Sequence, residues 1–274
     1  MKIDTLLGKR VQYGCHYDPK LLQPIPRSLG RRAGNLPGAA GPYPYHGEDI
    51  WNVYELSWLS EQGRPEVGIA EIRVPADSEF LVESKSLKLY FNSLNMTRIK
   101  SPADLAATIE NDLSDAAGGA VTVTILLPEQ FSDIQVAEPK GLCLDTLDCP
   151  DFSYQVNPLL LQSSTESVAS ETLFSRLFRS CCPVTGQPDW ATVQVAYQGN
   201  KIEHAGLLRY LVSYREHTGF HEACVELIFH HIMEQCKPEQ LEVSARFTRR
   251  GGIDINPVRA TSKAHWQNIR DPRQ

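Results

Sequence analysis

Apolar and polar positions alternate loosely in the first half of the chain, which is the pattern of half-buried β-strands. The alternation over residues 49–57 and 65–74, where β-branched residues are frequent, predicts two strands. A third strand is predicted for residues 120–127, a mostly apolar stretch interrupted by two threonines. Closely spaced glycines and prolines in the first fifty residues favour turns. We therefore expect an extended arm there rather than a core element.

A different spacing follows the second predicted strand and indicates a helix. Leu105, Ile109 and Leu113 recur every four positions, so they would form one apolar stripe on a helix. The serine–proline pair at positions 101–102 is typical of a helix start, with serine as the N-cap. The glycines at 118–119 predict the end of this helix.

The second half of the chain repeats this plan at a constant offset of 120 positions. The offset holds across two helices and a strand without a gap, which indicates duplication of one structural unit. On this basis a second long helix is predicted for residues 221–235. The matching residues are Glu83, Leu87, Tyr90, Ser93, Val121 and Val123 in the first half and Glu203, Leu207, Tyr210, Ser213, Leu241 and Val243 in the second.

We interpret the repeat as two copies of a strand–strand–helix–helix–strand–strand unit. Strands grouped apart from helices imply an α+β fold, with antiparallel sheets and helices on one face. The predicted modules comprise residues 1–137 and 152–274. A polar linker over residues 138–151, which holds two prolines, would join them.

Composition narrows the classes of function. The chain has 274 residues, 42% of them hydrophobic, and a formal net charge of −6. It therefore lacks the global positive field that attracts nucleic acid or an anionic membrane. Neither Met1–Arg10 nor any later segment has the apolar run of a signal peptide or a membrane span. Seven cysteines, an odd number without paired spacing, favour reduced thiols in a cytoplasmic protein.

Familiar cofactor and metal motifs are absent from the sequence. No glycine-rich dinucleotide loop lies between a strand and a helix, and there is no Walker loop. His230 and His231 are direct neighbours, so they lack the i, i+4 spacing of a helical metal pair. Because these motifs are absent, motif analysis alone predicts no metal site and gives no argument for a nicotinamide cofactor.

A stiff segment at residues 180–190 carries the first candidate chemistry. It contains two prolines and a glycine, and it leads into a strand predicted for residues 191–197. Cys182 precedes Asp189 by seven residues, and a carboxylate within hydrogen-bond reach could activate the thiol as a nucleophile. A buried structural cysteine beside a turn explains the same spacing. Spacing alone leaves both interpretations open.

Three further segments have both a functional and a purely structural explanation. His221 and Glu222 stand at a predicted helix start, where a neutral imidazole could relay protons. The glutamate could bind a ligand or simply favour the helix start. The charged residues of 83–90 could form a solvated helix face. Residues 248–254 join two arginines to two glycines, which suits an anion site or an exposed hairpin turn.

Together, these segments resemble the queuosine-pathway nitrile reductases of the QueF family. The matching segments are Glu-Ser-Lys-Ser-Leu-Lys-Leu-Tyr at 83–90, Gln-Pro-Asp-Trp at 187–190, Phe-His-Glu at 220–222 and Arg-Arg-Gly-Gly-Ile-Asp-Ile-Asn-Pro at 249–257. The resemblance covers nearly the whole chain. It is to the long form of the family, in which the signature, here residues 83–90, and the nucleophile lie in different halves. It implies tandem modules of the tunnelling fold. Cys181, beside the nucleophile position, is not a fixed feature of the family pattern.

The resemblance implies reduction of the nitrile of 7-cyano-7-deazaguanine to the 7-aminomethyl base, with two NADPH and no metal. Cys182 would attack the nitrile carbon and form a thioimide. Asp189 would activate the thiol and protonate the nitrile nitrogen, and His221 would assist proton transfer. The product belongs to the biosynthesis of queuosine, a tRNA modification. The implied partners are the small base, NADPH and a second copy of the chain, without direct contact to nucleic acid or a membrane.

The binding residues follow from the same resemblance. The base would contact Val82, Glu83, Ser84, His221 and Glu222. The dinucleotide would contact Ser84, Lys85, Arg250 and Gly251. An independent physical argument supports the two glutamates, because a guanine-like base presents adjacent N–H donors that an ionised carboxylate accepts in pairs.

Two other classes of function are alternatives. A zinc-dependent purine or pterin hydrolase of the tunnelling fold needs a Cys/His ligand set, and a metal assay would detect the ion. A non-catalytic purine-binding module needs no nucleophile. Oxidation of NADPH in the presence of the nitrile would exclude that module.

Overall fold

The computed structural model describes residues 14–274, and β-strands form the scaffold on which its helices lie. The strands are β1 (Pro24–Pro26), β2 (His46–Leu59), β3 (Pro65–Pro75), β4 (Phe80–Val82), β5 (Thr122–Leu126), β6 (Leu142–Cys143), β7 (Ser163–Cys181), β8 (Pro188–Ile202), β9 (Gln240–Phe247) and β10 (Ile253–Ala260). The α-helices are α1 (Arg27–Ala33), α2 (Ser84–Leu94), α3 (Pro102–Ala117), α4 (His204–Val212) and α5 (His221–Cys236).

One eight-stranded sheet runs through the described chain in the order β5–β3–β2–β10–β9–β8–β7–β6. Its neighbouring strands are antiparallel, except for the parallel pair of β6 and β7. β10 joins the two halves, because it pairs along its whole length with β2. β1 and β4 form a separate two-stranded ribbon. Strands and helices occupy separate layers, so the predicted α+β class is confirmed.

The helices cover one face of the sheet, as predicted. Two apolar cores lie between the helices and the strands, one formed by first-half residues together with Ile253 and Ile255 of β10 and one by second-half residues. Trp51 of β2 has no exposed surface and belongs to the first core. The next residue, Asn52, points to the opposite face, as strand geometry requires. There Asn268 of the C-terminal segment donates a hydrogen bond to Asn52 over 2.7 Å.

The internal repeat is visible in the arrangement of the elements. At an offset of 120 positions, β2, β3, α2, α3 and β5 correspond to β7, β8, α4, α5 and β9. Glu83 and Glu203 cap α2 and α4 in the same way, since each carboxylate accepts from two backbone amides. The expected fourth strand of the first copy is absent from the described residues, so that detail of the prediction is wrong. Pro128 instead opens a 3₁₀ turn directly after β5, because proline lacks the amide that a sheet ladder needs.

Helix α3 begins and ends as the sequence predicts. The hydroxyl of Ser101 accepts the backbone N–H of Asp104 over 3.1 Å. Gly118 ends the helix with a φ of 63°, a left-handed conformation that glycine adopts without a steric penalty. Leu105, Ile109 and Leu113 have no exposed surface. The predicted apolar stripe therefore packs into the core.

The N-terminal arm is more than the extended coil expected from its glycines and prolines. β1 pairs with β4, and α1 follows directly after β1. Ile25, Arg27 and Arg31 are each no more than 5% exposed. The expectation of an arm without core elements is therefore wrong for residues 24–33. Local composition does not reveal this burial, because Arg31 binds a carboxylate 195 positions away, on Glu226.

The predicted linker, residues 138–151, adds β6 to one edge of the sheet. Within residues 14–274, no helix is long and apolar enough to cross a membrane. The prediction that Met1–Arg10 is not a signal peptide lies outside the described residues. The first thirteen positions of the predicted module 1–137 lie outside them as well.

Candidate active site

A cavity of about 320 Å³ lies where the start of α2 faces the β7–β8 loop, the start of α5 and the β9–β10 turn. Both halves of the chain contribute to its walls. Its polar lining includes Ser84 and Lys88 from the first half and Cys182, Asp189, His221, Glu222 and Arg250 from the second. Val82 and Gly251 also line the cavity. Of the predicted site residues, Glu83 and Lys85 alone are not part of this lining.

The loop between β7 and β8 places one thiol against the cavity. The carbonyl of Cys182 accepts the amide of Gly186, and the amide of Cys182 donates to the carbonyl of Gln187, each over 2.9 Å. These bonds close a tight turn, and Gly186 adopts the left-handed φ of 68° that this turn requires. Cys182 is 8% exposed and lines the cavity. The thiol of Cys181 instead lies 3.8 Å from the carbonyl oxygen of Arg215, outside the lining.

Asp189 is the meeting point of the polar groups in the cavity. It is the second residue of β8 and is 6% exposed. Its Oδ1 atom lies 3.2 Å from Nε2 of His221 and 2.5 Å from Nη2 of Arg250. The His221 ring stacks on Phe247 with a centroid separation of 3.7 Å and an interplanar angle of 1°. The stacked ring holds its Nε2 atom toward Asp189, which is the arrangement that proton transfer between the two groups requires.

Glu222 is a buried carboxylate in the first turn of α5, and it lines the same cavity. It is 4% exposed. Burial raises the pKa of Glu222, and the negative charge of Asp49 raises it further. The charges of His221 and Arg27 lower it, but the net direction is upward. The backbone amide of Glu222 donates a hydrogen bond to this carboxylate, which also lines the cavity where a ligand could reach it.

Glu83 has a different environment from Glu222. Its two carboxylate oxygens accept the backbone amides of Lys85 and Ser86, each over 2.8 Å. Glu83 is 1% exposed and caps α2, as Glu203 caps α4. The structure therefore brings Val82 and Ser84 into the cavity wall but uses the Glu83 carboxylate within the helix start.

Lys88 is a cavity residue that the sequence analysis did not select. It follows Ser84 by one helical turn, so both side chains lie on the same face of α2. Burial lowers the pKa of Lys88, and the nearby positive charge of Arg250 lowers it further. Gly251 lies against this side chain and has a φ of 56°. The i, i+4 spacing from Ser84 was the signal that could have identified Lys88.

The predicted hairpin turn at residues 248–254 is present, and its arginine faces inward. Arg250 donates to the carbonyl of Pro188 over 2.6 Å and to the side chain of Gln187 over 2.9 Å. Gln187 belongs to the loop that carries Cys182, and Pro188 is the first residue of β8. Among residues 14–274, there is no group of three or more His, Cys, Asp or Glu side chains placed to hold a metal ion.

Comparison with known proteins places the chain in a family. Residues 13–125 match the model described as "Nitrile reductase, 7-cyano-7-deazaguanine-reductase N-term", and residues 188–266 match the QueF-like protein model. Three curated relatives are each named NADPH-dependent 7-cyano-7-deazaguanine reductase. The Bordetella avium protein is 49% identical over 95% of this chain and 94% of its own length. The Desulfotalea psychrophila protein is 48% identical, over 98% and 96%. The Azoarcus protein is 51% identical, over 94% and 90%. This chain belongs to the QueF family of nitrile reductases.

Proposed function

We propose that the protein is an NADPH-dependent reductase that converts the nitrile of 7-cyano-7-deazaguanine to the 7-aminomethyl group, a step of queuosine biosynthesis. The observation that carries the proposal is the shared cavity of Cys182, Asp189, His221 and Glu222. It combines a thiol, an acid–base pair and a buried carboxylate. A nitrile reductase that works through a covalent adduct needs these three functions together.

Cys182 is the nucleophile. Its sulfur adds to the nitrile carbon, and one of the three carbon–nitrogen bonds opens to give a thioimide. The proton of the thiol passes by way of the Asp189 carboxylate to the nitrile nitrogen, so the addition is balanced without an external acid. His221 lies 3.2 Å from Asp189 and returns or supplies a proton in the later steps.

Reduction of a nitrile to a primary amine requires four electrons. NADPH supplies them as two hydrides, and the overall reaction consumes two NADPH and two protons for each base. Cys182 leaves as the thiolate when the thioimide carbon has gained the first hydride, which gives an imine. The same acid–base groups, Asp189 and His221, protonate nitrogen when this imine is reduced to the amine. Bound base and dinucleotide together would limit the access of water, which would otherwise hydrolyse the imine.

The base is held between the two halves of the chain. Glu222 accepts the paired N–H donors of the guanine-like ring when its carboxylate is ionised. The edge of the ring meets Val82 and Ser84 on the opposite wall. Glu83 shapes this wall because its carboxylate caps the start of α2. For a direct contact with the base, this carboxylate would have to release one of its two amide partners and bind the ligand instead.

The mouth of the cavity fits the phosphates of a dinucleotide. Lys88 and Arg250 place two positive charges beside the left-handed backbone of Gly251, where an anion can approach closely. The mutual repulsion of these two cations disfavours the protonated Lys88, so a phosphate between them would be stabilised. Ser84 and Lys85 at the start of α2 complete the binding surface, because the positive charge of the Lys85 side chain attracts the phosphates.

The organisation of the enzyme is a further part of the proposal. Two modules of the tunnelling fold, residues 1–137 and 152–274, are joined by the linker 138–151. A second copy of the chain would complete the assembly as a homodimer, since β5 and β6 at the two ends of the sheet each have a single strand partner. The seven cysteines are all free, which suits the reducing cytoplasm. No direct contact with nucleic acid or a membrane is proposed.

Oxidation of NADPH with 7-cyano-7-deazaguanine tests the proposed function. The expected stoichiometry is two NADPH per base, with unchanged activity after treatment with a metal chelator. A stoichiometry of one, or loss of activity on chelation, would contradict the mechanism. Chelator-sensitive hydrolysis would favour the zinc-dependent alternative, and binding of the base without NADPH oxidation would favour a binding module.

A further inference from the structure

The histidine of the candidate active site lies at a helix start that no side chain caps. His221 is the first residue of α5, and the N-cap residue, Phe220, makes no side-chain hydrogen bond to the helix. The Nδ1 atom of His221 is buried, and within residues 14–274 it has no hydrogen-bond partner. A hydrogen bond from Nδ1 is a common means by which proteins fix the orientation of a functional histidine. The orientation of this ring therefore depends on other contacts.

Phe247 supplies such a contact. Its ring lies parallel to the imidazole of His221, with 3.7 Å between the centroids and 1° between the planes. The χ2 torsion of histidine has broad minima, so an imidazole without this contact could turn about its Cβ–Cγ bond. Such a turn would tilt the ring against the face of Phe247 and move Nε2 from its position 3.2 Å from Asp189. The parallel stack thus selects one plane for the His221 ring.

Phe247 is itself fixed by its surroundings. It is the last residue of β9 and has no exposed surface. Its amide donates to Oδ1 of Asn256 over 3.1 Å, and its carbonyl accepts Nε2 of Gln274 over 2.9 Å. Its register partner on β8 is Ala191, two residues after Asp189. The sheet therefore places the carboxylate and the stacking ring on neighbouring strands, in a fixed relation to one another.

We infer that Phe247 is a positioning residue for the reduction steps: the face of its ring keeps Nε2 of His221 at the Asp189 carboxylate. This inference rests on the proposed function, in which Asp189 serves the covalent addition and His221 transfers protons in the later steps. Phe247 does not line the catalytic cavity, so it acts through His221 and not on the base or the cofactor. Loss of the flat ring should therefore slow reduction of the thioimide and leave its formation intact.

The full-length Phe247→Leu protein provides the test, because leucine is apolar and branched but offers no flat face. Thioimide formation is followed without NADPH by time-resolved intact-protein mass spectrometry, and NADPH is then mixed with the preformed adduct in single turnovers. We expect normal adduct formation and NADPH oxidation slowed by about tenfold or more, a part of the roughly 10²–10⁴-fold that a positioned acid–base group contributes. Phe247→Met, whose flexible side chain adapts to irregular cores, replaces the leucine variant if that protein does not fold.

Phe229→Leu is the matched control. Phe229 also has no exposed surface, belongs to the same apolar core and lies on α5, the helix that carries His221. Its ring packs against Tyr45 with 4.7 Å between the centroids, and it does not line the catalytic cavity. The same substitution here should lower thermal stability without changing either rate. Equal slowing of NADPH oxidation in both leucine variants would indicate a general disturbance of the core and would overturn the inference.

A double-mutant cycle with His221→Ala separates positioning from a purely structural role. If Phe247 acts through the imidazole, Phe247→Leu should slow NADPH oxidation in the unsubstituted protein but have no further effect in His221→Ala. Equal slowing in both backgrounds, unchanged oxidation in Phe247→Leu, or slower adduct formation in that variant would each refute the inference and leave the proposed function standing. Failure of the unsubstituted protein to form the adduct, or to oxidise NADPH with the base, would instead contradict the proposed function.

Discussion

Nη2 of Arg250 lies 2.5 Å from Oδ1 of Asp189, which links the β9–β10 turn to the carboxylate beside the candidate nucleophile. The same guanidinium also binds Gln187 in the loop that presents Cys182 and Pro188 at the start of β8. Arg250, which is expected from the sequence to contact the cofactor, therefore also stabilises the catalytic loop. Binding of a cofactor phosphate by Arg250 would act on the orientation of Asp189.

Substitution of Arg250 by alanine is expected to impair two steps. The KM for NADPH should rise, because a cation at the mouth of the cavity is lost. The formation of the thioimide should also slow by about tenfold or more, since Asp189 loses a charged hydrogen bond worth about 1.5–3 kcal/mol. Stopped-flow measurement of adduct formation without NADPH separates the second effect from the first.

Lys85→Ala is the matched control for this experiment. Lys85 is expected to contact the dinucleotide, but it does not line the catalytic cavity. Its substitution should raise the KM for NADPH without slowing adduct formation. Normal adduct formation in Arg250→Ala would show that the contact with Asp189 has no role in the chemistry.

The two adjacent cysteines are expected to behave differently. Cys182 lines the cavity, whereas the thiol of Cys181 lies against the carbonyl of Arg215. Cys182→Ala should lose both turnover and the covalent adduct with 7-cyano-7-deazaguanine. Cys181→Ser should keep both, with a small loss of thermal stability. Intact-protein mass spectrometry after incubation with the base measures the adduct, and an adduct that survives Cys182→Ala but not Cys181→Ser would reverse the assignment.

Local sequence patterns predicted the regular elements of the fold well. The serine at the start of α3, its apolar stripe and its terminal glycine each depend on residues within one or two turns. The repeat predicted α4 and α5 from their first-half counterparts. The α1 segment was missed because its stability depends on distant partners: Arg27 binds Asp49 across 22 positions and Arg31 binds Glu226 across 195. Glycine and proline content contains no information about such contacts.

The site was predicted only in part, because the environment of each side chain also depends on the fold. Motif resemblance pointed to Cys182, Asp189, His221 and Glu222, and the structure places all four in one cavity. Two residues that are adjacent in the motif have different environments in the fold. Ser84 lines the cavity, but the Glu83 carboxylate binds two amides of α2. Lys88 enters the cavity wall because it lies one helical turn after Ser84 on α2, and the interpretation of residues 83–90 as a solvated helix face did not use this spacing.

Substrate affinity should depend on pH through Glu222. The base needs the ionised carboxylate as an acceptor, and burial raises the pKa of this group above its ordinary value of 4.5. Binding should therefore be present above the raised pKa and be lost as the pH falls through it, at a higher pH than for an exposed glutamate. The pH profile of kcat/KM for the base, measured at saturating NADPH, should contain this acidic limb.

Glu222→Gln tests the assignment of that limb. The amide does not titrate in this range and offers a single acceptor oxygen, so kcat/KM should fall by about 1.5–3 kcal/mol in equivalent free energy. The acidic limb should disappear from the profile. Glu83→Gln, which alters a helix cap, should retain the limb, and its persistence in Glu222→Gln would assign it to another group.

The stability of the protein should depend strongly on Arg259, although this residue is remote from solvent and does not line the catalytic cavity. Its side chain is 0% exposed and binds both Asp49 and Glu226. Arg259→Met would leave two buried carboxylates with one arginine each, and breaking a buried pair in this way costs about 3–5 kcal/mol. Arg64→Met is the control, because Arg64 is paired with Glu66 at the surface with 78% of its side chain exposed, and such pairs contribute no more than about 1 kcal/mol. Urea denaturation gives both free energies of unfolding.

In the parent protein burial disfavours the charge on Asp49, but Arg259 and Arg27 outweigh this effect and lower its pKa below 3.8. The stability from this pair is therefore present above that pH and lost as the pH falls through the lowered pKa. In Arg259→Met the loss should begin at a higher pH, and an unchanged acid-unfolding midpoint would contradict the role of Arg259 in these ion pairs.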